Sequence, residues 1–259
     1  RETVVVQETA RIVERIVTDI DDIVKKVRFP DWQHTTQGER LVRADGFYDG
    51  DGRHCVRFMP DSEGTWEVVT ESNAAALDGI RRRFVCLPAR DGVHGPVRVY
   101  DTFHFSYDDG TPYYPFGTTC YAWVHQTSGL QERTLATLAQ APFNKLRMTI
   151  FPKSYIYNRN EPLLYPFERD ARGENLYDRP NPVFFRALER RIEQLAELGI
   201  EADIILFHPY DRWGYARMGH AHDLAYLRYV VARLAAFRNV WWSLANEYDF
   251  MLGWKPIGH

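Results

Sequence analysis

Val240-Trp241-Trp242-Ser243-Leu244-Ala245 is an apolar run that is followed at once by two polar residues, Asn246-Glu247. A short apolar run of this kind is consistent with a strand that is buried on both faces. The segment before it, Asp223 to Phe237, is predicted to be a helix. A helix followed by a buried strand is the pattern of a parallel sheet with covering helices.

The same alternation of strand and helix runs through the whole region after Asp108-Asp109-Gly110. Strands are predicted at Tyr114–Thr119, Asn144–Phe151, Glu201–Phe207 and Val240–Ala245, and helices at Leu130–Gln140, Phe184–Leu198 and Asp223–Phe237. A long loop from Pro152 to about Pro182 follows the second strand. Since no glycine-rich phosphate loop follows any of these strands, a (β/α)8 (TIM) barrel is favoured over a doubly wound open sheet.

The region from about Phe29 to Ser106 has a different pattern of predicted elements, in which short strands alternate with turns such as Asp49-Gly50-Asp51-Gly52. Closely spaced short strands predict a small β-sandwich. The first 29 residues combine helical spacing of apolar residues with β-branched composition, and strands are favoured there. We therefore expect a β-sandwich over residues 1–108 and, over residues 109–259, only the first half of a barrel, because eight units need about 250 residues.

Composition excludes several classes of function. The formal net charge is -3, with no long run of either sign, so the sequence gives no electrostatic reason to expect nucleic acid or a charged membrane surface as a partner. No apolar run approaches the roughly 18 residues of a membrane span. The first residues lack the features of a signal peptide, and three cysteines form no disulfide framework. A cytoplasmic location is expected, or secretion if a longer precursor carries a signal.

Polar and aromatic residues lie on or directly after all four predicted strands of the barrel region. Active sites of such barrels lie at the carboxyl ends of the strands, so these residues are candidates for function. They are Tyr121, Trp123, Arg147, His208, Tyr210, Trp213, Asn246 and Glu247. Glycosidic cleavage needs two carboxyl groups, of which Glu247 could supply the proton donor, and the Asn246 amide could hold a sugar hydroxyl.

Simpler interpretations stay open for several of these residues. His208 could cap a strand end by bonding to backbone, and Arg147 could be a buried ion-pair partner. Trp123, Tyr210 and Trp213 could be core aromatics rather than rings that stack on sugars. The segment His220-Ala221-His222-Asp223 is better interpreted as a loop and helix start than as a metal site. No metal and no cofactor are predicted.

Four segments carry a resemblance to a known family. Tyr114–Trp123, Phe143–Met148, Phe207–Trp213 and Trp241–Asp249 resemble the apiosidase-like group of TIM-barrel glycoside hydrolases. Gly46–Gly52, Val56–Pro60 and Gly64–Trp66 are similar to the small β-sandwich that precedes the barrel in many such bacterial proteins. The resemblance implies a glycoside hydrolase that cleaves O-glycosidic bonds of an oligo- or polysaccharide.

In the wider clan, the resemblance implies a retaining mechanism in which Glu247 is the acid/base and Asn246 a substrate contact. The nucleophile is expected beyond residue 259, on a longer polypeptide or on another chain. Two alternatives follow. The region could be a non-catalytic carbohydrate-binding or structural module, or a half-barrel that a second chain or a second copy completes, since an open parallel sheet leaves unpaired edges.

Overall fold

The computed structural model describes Glu2–Gln7 and residues 41–251, and these residues divide into two units. The first unit contains the described residues up to Val93 together with Ala225–Ala236, and the second contains His94–Leu224 and the residues from Phe237 onward. Of the N-terminal segment with conflicting signals, Glu2–Gln7 is a strand, and residues 8–29 lie outside the described residues.

Short antiparallel strands make up most of the first unit. β1 (Glu2–Gln7), β3 (Arg53–Phe58) and β2 (Gly46–Tyr48) form one sheet, and β4 (Gly64–Val69) and β5 (Arg81–Cys86) form a hairpin. The short strands predicted here are therefore present. A complete β-sandwich remains a prediction, supported by a contact between the rings of Phe58 and Trp66, whose centroids are 4.8 Å apart.

A buried arginine anchors the first unit. Arg233 is fully buried, and its guanidinium lies 2.8 Å from a carboxylate oxygen of Asp49 and over the ring of Phe47. It also donates a hydrogen bond to the hydroxyl of Tyr229. A buried charge is tolerated only when it is paired and hydrogen-bonded, so Asp49 is a structural partner of this cation. The turn predicted at Asp49-Gly50-Asp51-Gly52 is present, with Asp49 N donating to Arg53 O at 2.8 Å and Arg53 N donating to Gly50 O at 2.9 Å.

The second unit starts with an antiparallel sheet and continues as a parallel one. β6 (Val97–Tyr100), β7 (His104–Tyr107) and β8 (Pro112–Tyr113) are antiparallel. The parallel sheet has the order β14 (Val240–Ala245), β13 (Glu201–Phe207), β10 (Lys145–Thr149), β9 (Gly117–Thr119). This mixed α/β architecture with a four-stranded parallel sheet agrees with the predicted fold class at that level; closure into a barrel remains a prediction.

Three α-helices accompany these strands in the described residues, and capping signals in the sequence set the ends of two. α1 (Ser128–Leu138) follows Thr127, whose side chain accepts from Leu130 N, and α2 (Pro182–Glu197) follows Asn181, which accepts from Val183 N. Gly199 has φ of 72°, which suits the position after a helix end. α3 is His220–Leu234. No helix within the described residues has the length and apolar character needed to cross a bilayer.

Two local expectations were wrong. The first barrel strand is shorter than predicted, because Pro115 has no N–H and Phe116 N donates to the side chain of Asn144. The predicted loop after the second strand contains an antiparallel pair, β11 (Phe167–Arg169) and β12 (Asn175–Pro180), whose turn is held by the Asp170 carboxylate. Side-chain capping of turns by Asp explains this hairpin.

The register of the parallel sheet separates its two faces. Leu146 and Met148 on β10 point to one face and are fully buried. Lys145 and Arg147 point to the opposite face, where the pairing places Lys145 beside Glu201 of β13 and Arg147 beside Asp203. This polar face contains an ion pair of 3.2 Å between Lys145 Nζ and Asp203.

The amino end of this face holds a buried carboxyl group. Glu201 is almost fully buried and accepts a hydrogen bond of 3.1 Å from Trp241 Nε1. Burial raises the pKa of Glu201 to about 7, although the Trp241 hydrogen bond and the charges of Arg238 and Lys145 act in the opposite direction. The folded protein therefore binds a proton here at pH values where an unfolded chain has lost it.

We expect Asp49→Asn to destabilise the first unit by about 3–5 kcal/mol, because it removes the carboxylate charge that pairs with the buried Arg233 guanidinium. Urea unfolding followed by circular dichroism measures this. Glu67→Gln is the control, since Glu67 pairs with Arg81 and Arg83 at the exposed surface and its loss should leave unfolding unchanged. Equal effects of the two substitutions would contradict the assignment.

Glu201 should make stability fall as pH rises. Its pKa is raised from 4.5 to about 7 in the folded state, so the folded state binds more protons between these values and loses stability through that window. Glu201→Gln removes the titration and keeps an acceptor for Trp241. Relative to the unsubstituted protein, this variant should gain on the order of 3 kcal/mol in unfolding free energy between pH 4.5 and pH 7.5. A difference that is constant with pH would disprove this.

Candidate active site

Glu247 lies directly beyond β14, at the carboxyl end of the parallel sheet, and its side chain is exposed. Its φ is 55°, in the left-handed region that non-glycine residues rarely adopt. The chain turns there, with Phe250 N donating to Glu247 O at 3.1 Å. The interaction of the Tyr210 hydroxyl with the Glu247 carboxylate raises the pKa of Tyr210 to about 12. An uncommon backbone conformation thus coincides with an oriented carboxylate, a combination found at functional sites.

Asn246 is the last residue joined to the sheet. Its N–H donates to Phe207 O at 2.9 Å, which extends the β13–β14 pairing by one residue. The buried side chain accepts a hydrogen bond of 3.3 Å at Oδ1 from the Tyr121 hydroxyl. Its Nδ2 is buried and has no hydrogen-bond partner among the described residues. Because a buried donor without a partner is costly, this amide is suited to bind a ligand oxygen.

Lys153 was not selected from the sequence, yet it lies at the centre of this group. It is 5% exposed, and its Nζ lies over the rings of Tyr121 at 3.6 Å, Tyr210 at 4.3 Å and Tyr155 at 5.1 Å from the centroids. Burial lowers the pKa of Lys153, and the neighbouring Glu247 raises it. The only sequence signal was a lysine placed just after the second strand.

The loop that carries Lys153 is tied down by backbone and side-chain hydrogen bonds. Tyr155 and Asn158 form an antiparallel bridge, with both N–H to O distances at 3.0 Å. The Asn158 amide donates to Lys153 O at 2.9 Å, and Gln126 donates to Asn158 Oδ1 at 3.0 Å. Ser154 N also donates to Tyr210 O at 2.9 Å. The loops after the first, second and third strands are therefore joined beneath the lysine.

His208 occupies the end of β13 and is buried. Its Nε2 lies 3.1 Å from Phe151 O and must be the protonated nitrogen, because a carbonyl oxygen only accepts. Burial lowers the pKa of His208 to about 4, with Lys153 adding to the shift and the Phe151 hydrogen bond opposing it. The geometry favours the capping interpretation. The Nδ1 atom stays an acceptor without a hydrogen-bond partner in the described part of the chain.

Arg147 points to the polar face of the sheet. Its guanidinium lies 3.7 Å from Asp203 and donates to Ser243 Oγ at 3.1 Å. These contacts favour the ion-pair interpretation. A direct role in binding remains a prediction.

Two tryptophans predicted to contact substrate have other neighbours. Trp123 is 3% exposed, and its Nε1 donates to Gln131 O, so the structure favours a core role. Trp213 donates to Glu161 through Nε1 at 2.7 Å and lies beneath the guanidinium of Arg212 at 4.8 Å. Neither ring takes part in the contacts that surround Glu247. The site thus comprises Tyr121, Lys153, Tyr210, Asn246 and Glu247, with His208 beside it.

This arrangement can exchange a proton at the Glu247 carboxyl and hold a ligand oxygen at the adjacent amide. Within residues 41–251, no group of three or more His, Cys, Asp and Glu side chains could hold a metal ion.

Known structures resemble this chain to different degrees. A crystal structure of a candidate glycoside hydrolase from Bacteroides vulgatus ATCC 8482 is 42% identical, with a TM-score of 0.83. The match covers 97% of this chain and 49% of that protein, so this chain spans about half the length of that relative.

Two further structures are more distant. One is named a glycoside hydrolase, and one a family 5 glycoside hydrolase of the same organism; both are 14% identical, with TM-scores of 0.45 and 0.46. Each match covers 61% of this chain, and 36% and 34% of those proteins. No curated protein matches the chain.

Family comparisons divide the sequence in two. Residues 25–73 match a domain family of unknown function, DUF5060, and residues 101–258 match the family described as "Apiosidase-like, catalytic domain". The second match covers more than half of the 259 residues. The chain therefore belongs to the apiosidase-like catalytic domain family.

Proposed function

We propose that this chain is part of a glycoside hydrolase that cleaves O-glycosidic bonds of a carbohydrate by a retaining mechanism, with Glu247 as the general acid and base. The observation that carries the proposal is the placement of Glu247. It is an exposed carboxylate at the carboxyl end of a parallel strand, oriented by the Tyr210 hydroxyl and preceded by a buried amide with a free donor. Family membership supports the same reaction class.

In the proposed first step, protonated Glu247 donates its proton to the glycosidic oxygen while a second carboxylate attacks the anomeric carbon and the alcohol leaves. In the second step, the Glu247 carboxylate removes a proton from water, and the water oxygen displaces the enzyme carboxylate. The net reaction is hydrolysis with retained configuration. The Asn246 amide would donate to a sugar hydroxyl, a contact that can strengthen as charge develops on the ring.

We propose that the four parallel strands are the first half of a TIM barrel and that the second carboxylate comes from outside the described residues. Two features support this. β9 and β14 are the edges of the sheet in the described residues, and edges of parallel sheets are normally covered. Trp242 and Leu244, on the face of β14 that continues the apolar face of Met148 and Ile204, are 41% and 53% exposed. A further helix packing there would bury both side chains.

Glu247→Gln should lower the turnover of aryl glycosides by about 10²–10⁴-fold, because the proton donor is lost. Initial rates measured on the full-length protein with a panel of nitrophenyl glycosides test this. Asp249→Asn is a matched control, since it neutralises an exposed carboxylate two residues away and should keep turnover.

Azide separates the acid/base role from that of a nucleophile. For Glu247→Ala with a dinitrophenyl glycoside, whose leaving group needs no proton, azide should restore turnover and yield a glycosyl azide of retained configuration. An azide product of inverted configuration would assign Glu247 as the nucleophile instead. Oligosaccharide binding by calorimetry with no detectable hydrolysis would favour the binding-module alternative, and unchanged turnover in Glu247→Gln would refute the proposal.

A further inference from the structure

We infer that Lys153 is a positioning residue for the Asn246-Glu247 pair, acting through the rings of Tyr121 and Tyr210. This inference rests on the proposed function, because it assigns to Lys153 the orientation of the proposed acid/base. The central observation is a shared pattern of contacts. The two rings that lie closest to Lys153 Nζ are those of Tyr121, whose hydroxyl bonds to Asn246, and of Tyr210, whose hydroxyl interacts with the Glu247 carboxylate.

Each tyrosine makes two contacts with different parts of the site. The face of Tyr121 lies 3.6 Å from the ammonium, and its hydroxyl donates to Asn246 Oδ1. The face of Tyr210 lies 4.3 Å from the same ammonium, and the interaction of its hydroxyl with the Glu247 carboxylate raises the pKa of Tyr210 to about 12. A ring held at its face by a cation has little freedom to tilt, so the position of its hydroxyl is also restricted. One ammonium therefore orients both members of the pair.

The environment of Lys153 makes the ring contacts important to the lysine as well. The residue Lys153 is only 5% exposed, so its side chain is largely removed from water, and no carboxylate forms an ion pair with its ammonium in the described part of the chain. Cation–π attraction grows when the cation is desolvated. Burial lowers the pKa of Lys153 while the Glu247 charge raises it, so the carboxylate and the rings together favour the charged form. The three tyrosine rings thus stabilise the position of the lysine ammonium, and the ammonium stabilises the positions of the rings.

The lysine backbone is fixed independently of its side chain. Asn158 Nδ2 donates to Lys153 O at 2.9 Å, and Ser154 N donates to Tyr210 O at 2.9 Å. A substitution at position 153 should therefore remove the charge without releasing the loop. A neutral side chain of similar length, methionine, can fill the same space.

The same sheet contains a matched control at its other end. Lys145 Nζ lies 4.0 Å from the centroid of the Trp241 ring, so it is also an ammonium over an aromatic face. Unlike Lys153, it has a carboxylate partner, Asp203 at 3.2 Å, and it lies at the amino end of β10. Lys145→Met removes a cation–π contact from the same sheet without touching the Asn246-Glu247 pair.

The experiment compares Lys153→Met with Lys145→Met in the full-length protein, using aryl glycosides and confirming folding by circular dichroism. Lys153→Met should lower kcat by about 10- to 100-fold, because the proton donor is displaced from its productive geometry. Its KM should stay within about threefold, because the lost interaction matters mainly in the transition state. Lys145→Met should leave both constants within about twofold. Lys153→Arg, which keeps a cation, should recover part of the loss.

A double-mutant cycle shows whether Lys153 acts through the tyrosine. In a Tyr210→Phe background the hydroxyl bond to Glu247 is already gone, so Lys153→Met should cost at least about threefold less in kcat than in the unsubstituted protein. Equal losses in kcat for Lys153→Met and Lys145→Met, or fully additive effects with Tyr210→Phe, would overturn the inference. If Glu247→Gln abolishes turnover in the same assay, those outcomes leave the proposed function standing. If Glu247→Gln retains turnover, the proposed function is overturned, and this inference with it.

Discussion

The parallel register of β10, β13 and β14 is the constraint on which the rest of the site depends. Arg147 pairs with Asp203, and Asp203 pairs with Trp241, so the three strands end at a common edge. Residues far apart in sequence, such as Lys153 and Glu247, become neighbours for this reason alone. The apolar side chains of the other face fix the register, because a shift of one residue would turn Leu146 and Met148 out of the core.

Charged side chains have different surroundings at the two ends of this sheet. At the amino end, Lys145 is neutralised by Asp203, and Glu201 is buried so deeply that burial raises its pKa to about 7. At the carboxyl end, Lys153 faces aromatic rings and Glu247 remains exposed. Paired charges at one end suit packing, whereas a carboxylate with open access suits chemistry. This difference is the reason that the carboxyl end is the candidate site, although the amino end also contains charged side chains.

The sequence predicts the parts of this molecule that follow from local pattern. β13 and β14 have the predicted boundaries, because each is a short run rich in apolar residues that follows a helix; β13 is buried along its whole length, whereas Trp242 and Leu244 of β14 are exposed. The position of Glu247 follows from the rule that strand ends carry function. Local pattern did not reveal Lys153, because its environment is built by Tyr121, Tyr155 and Tyr210 from three separate loops. The burial of Trp123 could not be predicted from local sequence either, since a tryptophan after a strand can have the same neighbours in sequence whether it lies in the core or in a cleft.

The side chains that surround the Glu247 carboxylate come from parts of the chain that precede it. Tyr121 follows β9, Lys153 follows β10, and Tyr210 follows β13, so the support for the carboxylate is complete before β14 ends. Holding a non-glycine residue at φ of 55° costs on the order of 1–3 kcal/mol, and such a conformation persists only when its surroundings fix it. The backbone hydrogen bond from Phe250 N to Glu247 O and the interaction of the carboxylate with the Tyr210 hydroxyl supply that fixation. A second carboxylate arriving from elsewhere would therefore meet the proposed acid/base already in place, which reduces the ordering that the proposed catalysis would otherwise require.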